Sequence, residues 1–491
     1  MRSHAARLPC GCLPWARGWL LAGALSTTPV VSPGPEKDGD RAFLGHPRGL
    51  GYIAFTEAWE RFSYYGMQTL LVLYMTKQLL LPGHVEKIAG FGWFRGMVEA
   101  TYNRGETMTV LALSSAVFGL YTSLVYLTPI AGGFIADRWL GRTRTITIGA
   151  LLMTAGHFLM AFDVSFLLAL LCLLLGVGCF KGNLASQVGA LYRPEDLRRA
   201  DAFQIYYLFI NGAVIVSPLI CGTLGEKVGW HYGFGAAGVG MVVGLAIYLW
   251  GRKWLPPEET ATSPATAATP KPGLAREERI QVAILLLLLP VLAIGAVGNQ
   301  QIFNAYMVWV PDHVSLEFSG RTMPTTWLVT LDAVVSVSFL FGAVAFWRLW
   351  AKRFKEPSEI TKITIGLALS AVGALCLVGA AVGSATGAKA SIGWVLAFEF
   401  FNSAGFANVF PVGLALYARV APRAVAGTIM GIYYLHLFAC NNFVGWLGGL
   451  VEKMSGTNFW LLHAALIGGA CVVMLLTGRL AGRLLDPGSR K

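Results

Sequence analysis

"FTEAWERFSYYG", Phe55 to Gly66, heads a run that is otherwise apolar enough to cross a bilayer. Glu57, Glu60, Arg61, Tyr64, Tyr65 and Gln68 recur at i, i+3, i+4, i+7, i+8 and i+11, which is one face of a helix. A charge at the bilayer centre costs about 2.5–3.5 kcal/mol on insertion scales, so three of them on one apolar helix belong in an internal cavity or in an internal pair. A purely structural ion pair of Arg61 with Glu57 or Glu60 is the alternative to a functional site.

The rest of the chain puts that helix in a membrane. Of its 491 residues 55% are hydrophobic and 13% charged, against about 25% charged in soluble domains. Apolar stretches recur at the ~20 residues needed to cross a bilayer. Their spacing predicts twelve spans, near 52–76, 108–131, 144–162, 164–185, 203–225, 233–251, 281–310, 326–350, 361–383, 391–419, 424–451 and 457–481. The class is an all-α integral membrane protein of twelve transmembrane helices in two six-helix bundles. "PPEETATSPATAATPKPG", Pro256 to Gly273, has no apolar periodicity and reads as a flexible linker. It divides the chain into an extension (1–45), a first bundle (46–251), a linker (252–280), a second bundle (281–484) and a tail (485–491). Two bundles joined in this way fit a transporter whose substrate site lies between the halves near the midplane.

The net charge of +12 is spread over short loops and forms no basic patch with interleaved aromatics, which argues against nucleic acid. Topology accounts for it. Even-numbered connections carry Arg138, Arg142 and Arg144; Arg193, Arg198 and Arg199; Arg252, Lys253, Lys271, Arg276 and Arg279; Arg348, Lys352, Arg353, Lys355 and Lys362; and Arg419 and Arg423. Most odd-numbered ones carry one basic residue or none; in the long first connection Glu86, Glu99 and Glu106 offset the four basic residues Lys77, Lys87, Arg95 and Arg104. The positive-inside rule then places both termini in the cytoplasm. "GWLLAGAL" after Arg2, Arg7 and Arg17 resembles the core of a signal peptide. Residues 1–45 read as a cytoplasmic tail, an over-long start or a true signal.

"GGFIADRWLGRTRT", Gly132 to Thr145, joins spans 2 and 3. Its glycines permit close helix approach, and Asp137, Arg138 and Arg142 can form a charge network that a conformational change makes and breaks. Positive-inside topology alone is the competing account. Lys181 in "GVGCFKGN" is a lone amine in an apolar span, facing the cavity or snorkelling to the cytoplasmic face. His157 and His436 read as hydrogen-bonded packing residues, Trp309, Trp327 and Trp394 as interface anchors (Trp309 or Trp327 could line the pocket instead), and Asn211 and Gly212 as helix-packing positions. Six cysteines lie in apolar spans as inert packing groups; Cys10 and Cys12 give a weak C-x-C signal. The chain holds no nucleophile–base pair, phosphate loop or metal-ligand spacing. An enzyme is not indicated.

"EAWERFSYYGM" resembles the E-x-x-E-R-F-x-Y-Y-G signature of the proton-dependent oligopeptide transporters. "GGFIADRWLGR" resembles the loop motif of the major facilitator superfamily that contains them, and "FQIYYLFINGAVIVSPL", Phe203 to Leu219, is similar to the family's F-x-x-x-Y-x-x-I-N pattern. The second half matches through "NQQ" at 299–301, "PTTWLVTLDA" at 324–333 and "EFFNSAG" at 399–405. The resemblance implies the major facilitator fold and proton-coupled symport of di- and tripeptides across the inner membrane, with a proton gradient as the driving force and no cofactor. It implies that Glu57 and Glu60 carry protons with Arg61 as switching partner. Burial disfavours an ionised carboxyl group and a nearby cation favours it, so breaking such a pair drives protonation. Tyr64, Tyr65, Gln68, Tyr126, Lys181, Asn299, Gln300, Asp332 and Glu399 are the implied substrate contacts, and Gly133, Asp137, Arg138, Gly141 and Arg142 the gating loop. Positive charge in one half and negative in the other complements a zwitterionic peptide.

The chain departs from the pattern twice. Gln68 and Asn299 stand where many relatives pair an arginine with an acid across the outer gate, leaving a neutral hydrogen bond as the available link and implying a weaker, less pH-sensitive gate. Asp332 stands where many have asparagine, and either shares the ammonium or proton role of Glu399 or is bonded to a neighbouring helix. Another small zwitterion or peptidomimetic as substrate, and a non-transporting peptide sensor, are the rival functions.

Overall fold

The computed structural model describes residues 41–193, 195–256, 274–318, 320–422 and 424–485. Cys10, Cys12, Lys271, Arg423, most of the extension, the central part of the linker and the tail lie outside them.

Twelve membrane-crossing elements follow one another. Span 1 is Arg48–Tyr74, extended by a π turn Met75–Leu79; span 2 is Val110–Ile135, extended by Ala136–Leu140; span 3 is Arg142–Leu159; span 4 is Phe166–Ala190. Span 5 runs through Arg198–Ser217, Pro218–Gly222 and Thr223–Lys227, and span 6 is Trp230–Gly251. Span 7 is broken into Arg276–Gly295, Val297–Gln301 and Ala305–His313. Spans 8, 9 and 10 are Trp327–Ala351, Glu359–Gly383 and Gly393–Val420; span 11 is split into Ala426–Tyr433 and Leu435–Gly448; span 12 is Gly456–Leu485. Among the described residues nine helices are long and apolar enough to cross a membrane by composition alone. Span 1 carries its charges, span 3 begins with Arg142 and Arg144, and span 11 is interrupted.

Local chemistry sets several ends. Thr109 caps span 2 by accepting from the Ala112 amide, Ser358 caps span 9 by accepting from Thr361, and Glu278 folds back onto the Ala275 amide at 2.8 Å. Span 7 therefore starts inside the stretch read as linker. At the other end, Phe43 packs edge-on against Phe55 and near Phe209, so the first bundle begins before residue 46. Leu168, Leu171 and Leu175 on span 4 are exposed on one stripe, as a lipid-facing helix requires.

Spans 1–6 pack together and spans 7–12 pack together. The halves meet where span 2 crosses span 11 and where span 5 meets span 8. A Cβ on Gly119 would lie 2.5 Å from Gly445 Cα and 2.6 Å from the Asn441 carbonyl, so only glycine permits this approach. Glu226, at the end of span 5, accepts from the Thr325 and Thr326 amides at 2.9 and 2.8 Å, and Trp327 Nε1 donates to Thr223 Oγ1 at 2.8 Å. Tyr102 donates to Asn442 at 2.8 Å, and Thr109 donates to Glu452. These bridges gather on the face with few basic residues, and close the interface there.

Two elements were not expected. Phe91–Tyr102 in the first connection is a helix whose Arg95–Glu99 pair at 2.8 Å also receives the Met108 amide on Glu99. Glu317–Phe318 and Arg321–Thr322 form a two-stranded hairpin between spans 7 and 8.

Several readings are corrected. Trp309 is buried and stacked on His313 at 4.4 Å, away from any membrane interface. Trp327 bridges the halves. His157 is fully buried with neither ring nitrogen hydrogen-bonded, because apolar packing encloses it, whereas His436 does bond the Tyr433 carbonyl. Asn211 bonds Tyr207 in its own helix and Gly212 faces open space, so neither sits at a tight helix contact. The six described cysteines are free.

Candidate functional site

The polar face of span 1 is turned inward. Glu57, Glu60, Arg61, Tyr64 and Gln68 are buried, Glu60 completely. Arg61 Nε lies 2.8 Å from Glu57 Oε1 and 2.8 Å from Glu60 Oε2. The first contact is a hydrogen bond; the second is off the N–H direction, leaving both Glu60 oxygens without a hydrogen bond. Glu60 is held by charge alone. The Tyr206 hydroxyl of span 5 lies beside Glu57. The fifth-helix pattern highlights Tyr207, but Tyr207 is half exposed and its neighbour makes the contact. Arg61 Nη2 remains buried without a hydrogen-bond partner, and the Tyr64 ring centroid lies 5.8 Å from the guanidinium carbon.

Lys181 places its Nζ 5.1 Å from the centroid of the Tyr126 ring and acts electrostatically on Glu57, Glu60 and Arg61. The amine is therefore turned to the cavity. With all four groups ionised the cluster carries no net charge, so one proton on Glu60 leaves it a net cation.

Across the interface, Tyr65 faces Phe303 of span 7 at 6.1 Å between ring centroids. Glu399 on span 10 is fully buried and receives the Tyr306 hydroxyl at 2.7 Å. Asp332 on span 8 is buried beside Glu399 and takes the Ser336 hydroxyl at 3.3 Å. Ser336 in turn lies 3.0 Å from Ser403 of span 10. Asp332 thus sits against span 10, next to the other acid of this half. Tyr206, Tyr306, Ser336 and Ser403 were missed because hydroxyl side chains on apolar helices carry no distinguishing spacing.

Gln68 and Asn299 are not joined. Gln68 Oε1 is buried without a partner, while Asn299 Oδ1 accepts from Gln300 at 3.2 Å in its own turn. The break in span 7 swings Asn299 towards a small cavity lined by Ser370, Phe406 and His436. The closing contacts run through Glu226, Trp327 and Tyr102 instead.

In the gating loop, Arg142 Nη2 lies 3.7 Å from Asp137 Oδ1, Arg138 stacks over Phe134 at 4.8 Å, and Gly141 turns the chain at φ +77°. The close helix contact belongs to Gly132, whose added Cβ would fall 1.9 Å from the Gly178 carbonyl oxygen; Gly133 faces open space.

With this geometry, comparison with known proteins is informative. The POT family model matches residues 143–271. The di-/tripeptide transporter of Lactococcus lactis subsp. lactis is 30% identical, over 81% of this chain and 88% of that one. The chain belongs to the POT family. The peptide transporter YePEPT of Yersinia enterocolitica is 26% identical over 89% of this chain and 95% of its own. Among solved structures, a mutant of the peptide transporter POT in complex with alafosfalin superposes with a TM-score of 0.76 at 25% identity, covering 92% of this chain and 99% of that one. This POT family member is accordingly a multi-pass membrane transporter of the major facilitator fold and not an enzyme.

Proposed function

We propose that the chain carries di- and tripeptides inward across the cytoplasmic membrane together with protons, by alternating access between its two bundles, with both termini in the cytoplasm. The observation that carries this reading is the charge layout of the buried site: Arg61 and Lys181 in one half, Glu399 and Asp332 in the other. A peptide carboxylate suits the first and its ammonium group the second. Glu60, held only by Coulomb attraction to Arg61, is the carboxylate that most readily exchanges its partner for a proton. Protonation frees Arg61 and Lys181 to bind the substrate carboxylate, which couples proton entry to peptide binding.

Tyr64, Tyr65, Gln68 and Tyr126 supply cavity walls, and Asn299 and Gln300 the adjoining turn of span 7. The names and ligands of the relatives agree with this substrate class. The cytoplasmic assignment of the termini rests on the basic connections.

Purified protein in liposomes, given labelled dialanine on the outside with and without an inward proton gradient, tests the proposal. Accumulation above equilibrium only with the gradient is expected. No gradient-dependent accumulation across a varied peptide panel defeats it, and peptide binding without any flux supports the sensor instead.

A further inference from the structure

At the ammonium end of the cavity two acids occupy one site. Glu399 is completely enclosed and Asp332 nearly so, and they lie side by side: the Ser336 hydroxyl joins Asp332 to Ser403, one helical turn from Glu399. Two adjacent buried carboxylates without a cation repel strongly, so one of the two holds a proton. The titratable groups acting on the pair are Tyr306 from span 7 and Tyr65 from span 1. Ser336 and Ser403 add neutral hydroxyls. No lysine or arginine among the described residues acts on it; Arg61 and Lys181 are engaged with Glu57 and Glu60.

We propose that Asp332 and Glu399 form one proton-sharing carboxyl pair, that its single negative charge selects substrates bearing one ammonium group at this end of the cavity, and that Asp332 sets this selectivity. The inference rests on the peptide reading above. A singly charged peptide amine binds with the shared proton in place. A peptide with a second ammonium group binds best when that proton has left for solvent, one cation taking the place of one proton, so the charge of the site is conserved. Raising the pH therefore favours dicationic over monocationic peptides. The proton step at Glu60 acts on both peptides alike and cancels from the ratio of their affinities.

Inhibition of labelled dialanine uptake by unlabelled dialanine and by lysyl-alanine, measured between pH 5.5 and 6.5, well below the titration of a peptide α-amino group at about pH 7.7–8, reads this directly. In the wild type the preference for lysyl-alanine is expected to rise about tenfold over that range. In Asp332→Asn, where an amide N–H replaces the shared proton and the charge stays single, the change stays below about twofold. Infrared difference spectra of wild type against this variant provide a readout independent of flux: a protonated-carboxyl band, shifted in heavy water and lost in the variant. The same preference profile in both proteins, a flat profile in the wild type, or no such band overturns the inference. Absence of wild-type dialanine uptake defeats the peptide reading instead.

Discussion

Arg61 holds two carboxylates with one N–H, and the difference between those two contacts is the most informative detail of the site. Glu57 has the Arg61 hydrogen bond, with the Tyr206 hydroxyl beside it; Glu60 has proximity alone. In Glu60→Gln the charge that answers to protonation is gone, so gradient-driven peptide accumulation should be abolished while peptide counterflow, which needs no net proton movement, is retained at a reduced rate. Gradient-driven uptake at the wild-type level would remove Glu60 from the coupling mechanism. The converse change, Arg61→Ala, strands two buried carboxylates and should destabilise the protein by about 3–5 kcal/mol, seen as a lower unfolding midpoint in detergent. The i, i+3, i+4 spacing made this cluster legible in sequence, because charged side chains on an apolar helix have few places to go. Tyr206 and Tyr306 were not legible, since a tyrosine in a span satisfies the same pattern whether it packs or bonds a carboxylate.

At the scale of elements, the twelve spans could be read from length and apolarity, but the contacts that join them could not. Glu226 sits in the last turn of span 5 in no motif, and its partners lie 99 and 100 residues away in sequence. A carboxylate on the amides that open a helix is worth about 0.3–1 kcal/mol when exposed and up to about 2 when partly buried. Glu226→Ala should therefore raise the outward-open population, by a factor of roughly 5–30 if the loss reaches about 1–2 kcal/mol, measurable by spin labels on Arg104 and Lys453. The helix Phe91–Tyr102 did have a signal, in Phe91, Phe94, Val98 and Tyr102 at helical spacing, masked by the surrounding glycines. Burial alone would raise the Glu99 carboxyl, but the Met108 amide and Arg95 overcome it and hold Glu99 below the usual carboxylate range. A depressed carboxyl stabilises the fold above its unfolded value, and that contribution is lost as pH falls through the folded one. The protection of amides 91–102 against hydrogen exchange, taken relative to the intrinsic rate at each pH, should accordingly fall on acidification below about pH 4.5, and Glu99→Gln should be less protected at neutral pH with the acid step removed.

For the molecule as a whole, the question is how two six-helix bundles close on one side and part again. Among the described residues no ion pair crosses the seam between spans 2 and 11; it closes because Gly119 and Gly445 bring two backbones together, with Ser115 against Gly448 beside them. Such an interface gains from packing and opens without separating buried charges, which suits a surface that must close and open in every cycle. It is also intolerant of added volume, since the nearest atoms to a side chain at Gly119 are backbone and cannot turn aside. In Gly119→Val the helix-to-helix packing within each bundle is untouched, so both still fold, but the closed state loses its fit. Overpacking of this kind costs about 1–3 kcal/mol, a shift of roughly 5- to 150-fold towards the outward-open form. Peptide binding from the outside should persist while uptake falls, and the distance between labels on Arg104 and Lys453 should lengthen to that of the outward-open population. Unchanged uptake with an unchanged distance distribution would show that the seam does not limit the cycle, and would place the closing energy in the Glu226 bridge.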